Sequence, residues 1–392
     1  MLRHKLLPLL LTAYLSAHSW AGTLPLLGAG SSTSVPPVTY TGPGDVVSGA
    51  TVWYGLRAYN AANLNGTTKA LNLIRASDNT ACDFDIATTG GLGNSDAGCS
   101  LGGGLTLSTF ATVDATATCA FVGITSAVNC TGASSTPHVG SQITGAGVVQ
   151  PCFISAVGTF TGGAGQVTVN NGAGAGYPTC GTLSAESVTF TYGLFVAKWY
   201  DLTGNGNTLL QATSGSQPFL MQSQFGALPG VLNNGFQSTF MKVTISSISD
   251  PLTISSVAFR PINAGATQAI LSFNASSIIT SVGFGSSSGF AAIAQSAILT
   301  AAAADTVSHS LQFIPNGASS SINVDGTITS GTAGTGRSGY TILSFGAQSN
   351  GFSAAFYGGV GEAGVYASAL SSGNQGLLCH NQRLYYGTSG SC

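Results

Sequence analysis

The sequence predicts an all-β protein: a sandwich of two antiparallel sheets, with a small β module inserted into it and a short C-terminal helix. Three observations predict this fold. Short runs of apolar and β-branched residues recur between turns rich in Gly, Ser and Asn, which is the pattern of many short strands. Alternating apolar and polar residues flank Asp325-Gly326, a dipeptide that accepts the positive φ of a hairpin turn. One helical pattern follows Ser371 and ends before Gly387.

The amino-acid composition excludes some classes of function. Hydrophobic residues make up 44% of the 392-residue chain, which is enough apolar material for a large core. Charged residues make up only 6%, against roughly 25% in ordinary soluble proteins. The chain therefore lacks the basic residues that neutralise nucleic-acid phosphates, and it lacks the charge of a disordered acidic or basic segment. We expect no nucleic-acid partner.

The first residues have the pattern of a secretory signal peptide, which we place at residues 1–21. Arg3 and Lys5 precede an apolar run at residues 6–15, and small residues follow at Ser19 and Ala21. The apolar run is shorter than the roughly 20 residues that span a bilayer. We therefore expect an exported protein, extracellular, at the cell surface or periplasmic, without a transmembrane segment after cleavage; an uncleaved anchor is the alternative.

The remaining chain divides by composition. Residues 22–49 are rich in Pro, Gly and Ser and predict an irregular lead-in. Residues 50–113 and 191–392 carry the sandwich, whereas residues 114–190 hold four of the cysteines and several glycine runs and predict the inserted module. Within the sandwich we expect a short helix at 56–63. We expect strands at residues 70–75, 252–259, 278–284, 311–314, 342–345 and 356–366.

The C-terminal helix has clear end signals. Ser371 or Ser372 provides an N-cap, and Gly387 follows the last turn, in which Arg383 lies. The apolar residues that we expect on one buried face are Leu377, Leu378, Leu384 and Tyr385.

The eight cysteines all lie after the predicted signal peptide. An even number in an exported chain indicates disulfide bonds, although sequence alone leaves their connectivity open. We expect pairing between neighbours in the sequence: Cys82 with Cys99, Cys119 with Cys130, Cys152 with Cys180, and Cys379 with Cys392.

Three stretches point to a known family. They are YGLRAY at residues 54–59 with LIRASDN at 73–79, WYDLTGNGN at 199–207 with LQA at 210–212, and NVDGT at 323–327 with FYGG at 356–359. The first two resemble the arabinofuranosidase B catalytic-domain family, whose signature is Tyr-Asp-x-Ser-Gly-Asn-Gly-Asn. The third, with the terminal helix, resembles concanavalin-like and laminin-G-like sandwiches in general.

The resemblance implies a concanavalin-like jelly roll and a glycoside hydrolase acting on arabinose-containing polysaccharide. The family's catalytic pair does not carry over. By position its aspartate falls near Ala347 or Gln348, and its glutamate falls within residues 290–298, where this chain has Gln295 and Ser296. Retaining hydrolysis needs two carboxyl groups about 5–5.5 Å apart, and these positions hold none.

Individual carboxylates leave alternatives open. Asp201 accepts backbone hydrogen bonds in an Asn/Gly turn or contacts a ligand. Glu362 lies within a predicted strand, and it and Asp201 are weak catalytic candidates. Asp78, Asp83 and Asp85 lie within eight residues, so they bind calcium or are solvated loop charges. We expect no other cofactor.

A bound sugar would contact aromatic faces and amide groups, because a neutral sugar offers C–H faces and hydroxyl groups. The best cluster in the sequence is Trp199 and Tyr200 with Asn205 and Asn207, joined by Gln348 and Asn350 from the stretch where the family's aspartate falls. The alternative is that Trp199 and Tyr200 belong to the core and the surface of a strand.

Three functions remain open at this stage. The first is an arabinofuranosidase-type hydrolase, and the second is a glycan-binding module that has lost its catalytic carboxylates. The third is a non-enzymatic surface adhesin or structural extracellular protein. The missing carboxylates favour the second over the first, and the Asp201 signature favours a carbohydrate-linked origin over the third.

Overall fold

The computed structural model describes residues 40–121, 127–148, 152–170, 180–181, 183–234, 239–261, 267–275, 278–285, 289–294, 297–302, 307–333, 338–347 and 355–392. The predicted signal peptide and most of the lead-in lie outside these residues. The described part of the lead-in begins at Tyr40 and includes a one-turn helix, α1 (Pro43–Val46).

Strands dominate the described chain. The first four are β1 (Val52–Gly55), β2 (Lys69–Arg75), β3 (Ala81–Ile86) and β4 (Leu92–Ser95). The next six follow helix α2 (Leu107–Phe110) and are β5 (Val113–Phe121), β6 (Ala127–Thr131), β7 (Gln142–Gly145), β8 (Phe153–Val157), β9 (Gly165–Asn170) and β10 (Leu183–Thr191).

The remaining strands precede the terminal helix α3 (Ser372–Tyr386). They are β11 (Leu194–Trp199), β12 (Leu209–Leu210), β13 (Phe219–Phe225), β14 (Leu228–Asn234), β15 (Met241–Ile248), β16 (Thr253–Phe259), β17 (Gln268–Ala275), β18 (Ile278–Phe284), β19 (Phe290–Ala294), β20 (Ala297–Ala301), β21 (Ser308–Ile314), β22 (Ser320–Val324), β23 (Thr327–Gly331), β24 (Tyr340–Phe345) and β25 (Tyr357–Tyr366).

The larger sheet system consists of two antiparallel stretches. One pairs β23, β22, β21, β16 and β25 in that order, with β1 and β14 sharing the far edge of β25. The other runs from β4 through β3, β2, β11, β12, β15, β24, β17, β18 and β19 to β20. Strand β13 pairs with both β14 and β11 and so joins the two stretches.

One hydrophobic cluster contains side chains from both stretches, including Leu73, Val196, Ile254, Phe313 and Phe345. A shared apolar core between two antiparallel stretches is the arrangement of a β-sandwich. We call this part of the molecule the sandwich.

Strands β5–β10 form a separate closed barrel in the order β10-β5-β6-β9-β8-β7, with β7 pairing back to β10. Its ends, Val113 and Thr191, are paired with each other. The barrel has its own interior, in which Val128, Ile143, Val167 and Phe190 are buried. Closure leaves such a small sheet without open edges. We call this part the barrel.

Four disulfide bonds join Cys82–Cys99, Cys119–Cys130, Cys152–Cys180 and Cys379–Cys392. These are the pairs that we expected from nearness in the sequence. Two lie in the barrel and two in the sandwich. Within the described residues, no helix is both long and apolar enough to cross a membrane.

Two local predictions were wrong. The helix expected at 56–63 is limited to a single 3₁₀ turn at Ala61–Asn63, because Arg57 is buried and forms an isolated β-bridge to Gly91. The buried face of α3 is also not the expected one, since Leu377 and Leu384 are 51% and 70% exposed.

Polar side chains take the place of those leucines. Gln375, Asn381 and Gln382 are buried, and Gln382 accepts a 2.6 Å hydrogen bond from Ser310 and donates one to Ser255. The helix ends follow the sequence signals: Ser371 caps the N-terminus by accepting from the Asn374 amide, and Gly387 has φ 65° at the C-terminus.

Candidate functional site

The signature loop, residues 201–207, is tied to strand β1 by Asp201. One carboxylate oxygen accepts hydrogen bonds from the Trp53 amide at 3.0 Å and from the Thr203 amide and hydroxyl at 3.1 and 2.8 Å. The other oxygen accepts from the Asn207 amide at 3.2 Å. Asp201 therefore fixes the loop and anchors a neighbouring strand, which is the structural one of its two interpretations.

The two asparagines of this loop are also engaged within the chain. The side-chain amides of Asn205 and Asn207 both donate to the carbonyl oxygen of Thr51, at 2.9 and 3.4 Å. The hydroxyl of Tyr54 donates to the Asn207 carbonyl at 2.6 Å. These side-chain amides hold the loop against the residue that precedes β1.

Trp199 is fully buried. Its ring packs edge-on against Phe345 at 5.2 Å and lies 5.9 Å from the Tyr54 ring. Its indole N–H donates to the Gly55 carbonyl. Trp199 is therefore a core residue, and the predicted sugar-stacking role is corrected because its faces are covered by other side chains.

Glu362 is equally buried, as one half of an ion pair. Its two oxygens accept from Nε and Nη2 of Arg57 at 2.8 and 3.0 Å, and both side chains are at most 1% exposed. Asn381 accepts a further bond from Arg57 at 2.7 Å. Arg57 also lies 4.5 Å from the ring centre of Tyr385. Arg57 therefore links Glu362 of β25 to Asn381 of α3.

The three calcium candidates do not assemble around one point. Asp78 pairs with Arg75, whereas Asp83 accepts from Lys69 at 2.6 Å, from Asn72 at 2.7 Å and from the Tyr200 hydroxyl at 2.8 Å. Among the described residues, no set of three or more acidic, His or Cys side chains has the geometry of a metal site. The Lys69 ammonium occupies the position between Asp83 and Asp96.

In the acidic cluster, which consists of Asp83, Asp85 and Asp96, the pKa values of Asp83 and Asp85 are shifted in opposite directions. Burial raises the pKa of Asp85 to about 6, and the nearby charge of Asp96 adds to this effect. Burial also opposes ionisation of Asp83, but hydrogen bonds from Lys69, Asn72 and Tyr200 outweigh it and lower the Asp83 pKa. Asp85 is 5% exposed, and its Oδ1 lacks a hydrogen-bond partner within the described structure.

The last two predicted ligand residues, Gln348 and Asn350, lie outside the described residues, as do Gln295 and Ser296. Ala347, the other position where the family's aspartate would fall, is buried, and its carbonyl accepts from the Ser272 hydroxyl at 3.0 Å.

A cleft of about 460 Å³ lies where the barrel meets the sandwich. We call it the barrel–sandwich cleft. Its volume falls within the roughly 300–1,000 Å³ of small-molecule sites. The described residues that line it are Gln142, Thr144 and Thr191 from the barrel and Met221, Gln222, Ser223, Gln224 and Phe259 from the sandwich.

The lining of the cleft is polar without being charged. Its eight residues supply three carboxamides, three hydroxyls, one aromatic ring and one thioether. Gln224 packs over Gly359, because a Cβ at that glycine would collide with the Gln224 side chain. Sequence reasoning missed this site because its two walls come from distant segments; the surplus of glutamine in residues 217–224 was the one available signal.

Comparisons with solved structures bear on the fold. A mutant GH54 α-L-arabinofuranosidase soaked with 4-nitrophenyl α-L-arabinofuranoside is similar, with a TM-score of 0.51 and 12% sequence identity over 87% of this chain. An arabinofuranosidase complexed with arabinofuranosyl-α-1,2-xylobiose has a TM-score of 0.48 at 12% identity, over 87% of this chain and 64% of its own. Domain 4 of AbnA, a GH43 extracellular arabinanase from Geobacillus stearothermophilus in complex with arabinotriose, has a TM-score of 0.35 at 15% identity, over 46% of this chain and 91% of its own.

The first of these similarities supports a shared fold, and the chain spans 64% of that enzyme's length. No protein-family model matches the sequence, and no curated protein matches it significantly. The all-β architecture and its likeness to a glycoside hydrolase fold are therefore what the comparisons establish.

Proposed function

We propose that this protein is an exported, carbohydrate-active protein with a concanavalin-like sandwich, and that it binds arabinose-containing polysaccharide in the barrel–sandwich cleft without cleaving it. The observation that carries the proposal is the lining of the cleft: carboxamides and hydroxyls with one aromatic ring and no charged group among the eight residues.

This lining suits a neutral sugar. Carboxamides donate and accept hydrogen bonds at once, which matches sugar hydroxyl groups that do the same. The ring of Phe259 offers an apolar face for sugar C–H groups. A phosphorylated or acidic ligand would instead call for arginine or lysine side chains, and none of the eight lining residues is basic.

The absence of carboxyl groups from these eight residues favours binding over hydrolysis. Retaining hydrolysis requires one carboxylate to attack and a second carboxyl group to transfer the proton. Glu362 and Asp201, the two catalytic candidates of the sequence, are engaged in the buried ion pair and in the signature loop.

Other observations support the proposed class of sugar and the proposed export of the protein. The resemblance at residues 54–59 and 199–207 and the similarity to an α-L-arabinofuranosidase soaked with 4-nitrophenyl α-L-arabinofuranoside favour arabinose. Four disulfide bonds fit an oxidising compartment, in agreement with the expected signal peptide at residues 1–21.

Binding and turnover are measured side by side on the exported protein. We expect arabinotriose to bind in isothermal titration calorimetry and 4-nitrophenyl α-L-arabinofuranoside to release no 4-nitrophenol above the buffer rate. Release of 4-nitrophenol would overturn the non-catalytic proposal. An absence of binding to arabinotriose and to a neutral-glycan array would favour the adhesin or structural role.

Hydrolysis is the second candidate, and the acidic cluster is the observation that favours it. Asp83 and Asp85 lie two positions apart on β3 with pKa values shifted in opposite directions, and such pairs serve as base and acid in enzymes. If turnover is found, its loss in Asp85→Asn and its retention in Glu186→Gln, an exposed carboxylate of the barrel, would assign it to this cluster.

A further inference from the structure

The barrel packs against the sandwich through buried apolar contacts. The ring of Phe153 in the barrel stacks on Phe219 of β13 with centroids 4.6 Å apart, and Met221 and Leu232 complete a buried apolar contact. Backbones also approach closely, because a Cβ on Gly193 would overlap the carbonyl oxygen of Gly140. The cleft between the two parts is therefore preformed.

The barrel wall of the cleft is a polar strip on two paired strands. Gln142 lies opposite Thr191 in the register of β7 and β10, and Thr144 lies opposite Thr189. Ile143 is buried in the barrel interior, so Gln142 and Thr144 point outward together, since side chains alternate along a strand. The three lining side chains of this wall are all hydrogen-bonding groups.

Buried hydrogen bonds hold the start of this wall. The Ser141 hydroxyl, one residue before Gln142, donates to Asp114 at 2.7 Å. Asp114 also accepts from the His138 amide at 2.6 Å and contacts its ring nitrogen at 2.7 Å. Both Asp114 and Ser141 are buried. A wall fixed in this way presents its groups at set positions.

The sandwich wall differs in composition. It supplies both apolar side chains of the cleft, Met221 and Phe259, beside Gln222, Ser223 and Gln224. Apolar contact area is tolerant of sugar stereochemistry, whereas fixed hydrogen-bonding groups discriminate hydroxyl positions because a mismatched buried group is left unpaired.

From this difference we propose that the inserted barrel is the specificity-determining half of the site: Gln142, Thr144 and Thr191 select the hydroxyl pattern of the glycan, and the sandwich wall supplies general affinity. The inference rests on the proposed glycan-binding function. The inserted module would thus determine which sugar the protein binds.

The test compares two double variants on two probes, arabinotriose and cellotriose, by titration calorimetry. We expect the wild type to prefer arabinotriose at least tenfold. Gln142→Ala with Thr144→Ala should reduce this preference at least fivefold. Met221→Leu with Phe259→Leu, which removes the thioether and the aromatic face of the sandwich wall, should weaken both probes by a similar factor and keep the preference. Gln166→Ala, an exposed barrel glutamine outside the cleft lining, is the matched control and should change neither value.

The outcomes separate the two proposals. If the barrel double variant lowers the affinity for both trisaccharides equally, or changes neither affinity, the specificity role of the barrel is wrong. The proposed glycan binding would remain in place. A wild type that binds neither trisaccharide nor any neutral glycan on an array would overturn the proposed function itself. Thermal unfolding of each variant verifies folding; if the double variant is destabilised, Gln142→Ala alone carries the same test.

Discussion

The signature loop and the barrel–sandwich cleft are both built from Asn, Gln, Thr and Ser side chains, yet they use them in opposite ways. In the loop, Asp201 and the two asparagines bond to their own chain, above all to Trp53 and Thr51. In the cleft, Gln222 and Gln224 line an open volume. A conspicuous polar motif can therefore be a structural device, while the cleft proposed here as the binding site carries no sequence motif.

The largest expected effect concerns the buried ion pair of Arg57 and Glu362. Glu362→Gln removes the charge that faces Arg57 and leaves a buried guanidinium without its partner, so we expect the free energy of unfolding to fall by about 3–5 kcal/mol. Urea denaturation measures this loss. Glu186→Gln, at an exposed position, should change stability by less than about 0.5 kcal/mol. An unchanged free energy of unfolding in Glu362→Gln would mean that the ion pair of Arg57 and Glu362 does not stabilise the fold.

The second prediction addresses the signature loop. Asp201→Ala leaves the Trp53 and Asn207 amides without their acceptor, and we expect a loss of about 2–3 kcal/mol in the free energy of unfolding. Affinity for arabinotriose at a temperature where the variant is folded should stay within twofold of wild type. Weaker binding with unchanged stability would instead make the loop a ligand site and remove the contrast with the cleft.

The third prediction addresses the cleft. Phe259→Leu keeps an apolar side chain and loses the aromatic face, so we expect a fivefold to tenfold loss of affinity for arabinotriose, or about 1 kcal/mol. The thermal midpoint should change little. Phe160→Leu replaces a half-buried barrel phenylalanine outside the cleft lining and should leave the affinity unchanged. Equal effects of the two variants would argue against contact between Phe259 and sugar.

The smallest expected effect is a pH dependence of stability. It concerns Asp85 of the acidic cluster, whereas the lining of the cleft has no titratable side chain. The pKa of Asp85 is about 6 in the folded chain and about 3.9 when unfolded, so between these values the folded state binds the extra proton. The protonated Asp85 carboxyl therefore contributes to the free energy of unfolding at pH 4, and this contribution is lost as the pH rises through about 6. We expect Asp85→Asn to raise the thermal midpoint at pH 7 more than at pH 4.

Glycan affinity provides the contrast in the same pH range. The eight lining residues of the cleft do not titrate, so affinity for arabinotriose should be constant from pH 4.5 to 8 and insensitive to salt, since screening acts on charges. An affinity that follows the titration of Asp85 would place the ligand at the acidic cluster instead of the cleft.

Features that depend on local chemistry were predictable from the sequence. The Asp325-Gly326 turn has φ of 52° and 91° between β22 and β23, as such dipeptides prefer. The cap at Ser371 and the left-handed Gly387 follow equally local rules. The disulfide pairs are also local, with separations of 11 to 28 residues.

Features that depend on tertiary contacts were not predictable. The sequence of α3 predicts a buried face of leucines, but the helix buries Gln382 and Asn381 instead. Gln382 accepts a hydrogen bond from the Ser310 hydroxyl, and Asn381 accepts one from Arg57. Trp199 follows the same logic, since its environment comes from Tyr54 and Phe345. The cleft lies between β7 and β13, which are far apart in the chain and are brought together by tertiary contacts such as the docking of Phe153 on Phe219.

The closed shape of the barrel has an evolutionary consequence. The chain enters and leaves it on adjacent strands, and the Tyr192 amide donates to the Thr112 carbonyl at 3.1 Å. Two antiparallel neighbours at that spacing can be joined by a turn of about two residues. The whole module could thus be acquired or deleted in a single genetic event while the strands of the host sandwich keep their positions. Under the proposed function, such an event exchanges one wall of the glycan site for another and leaves the core of the sandwich unchanged.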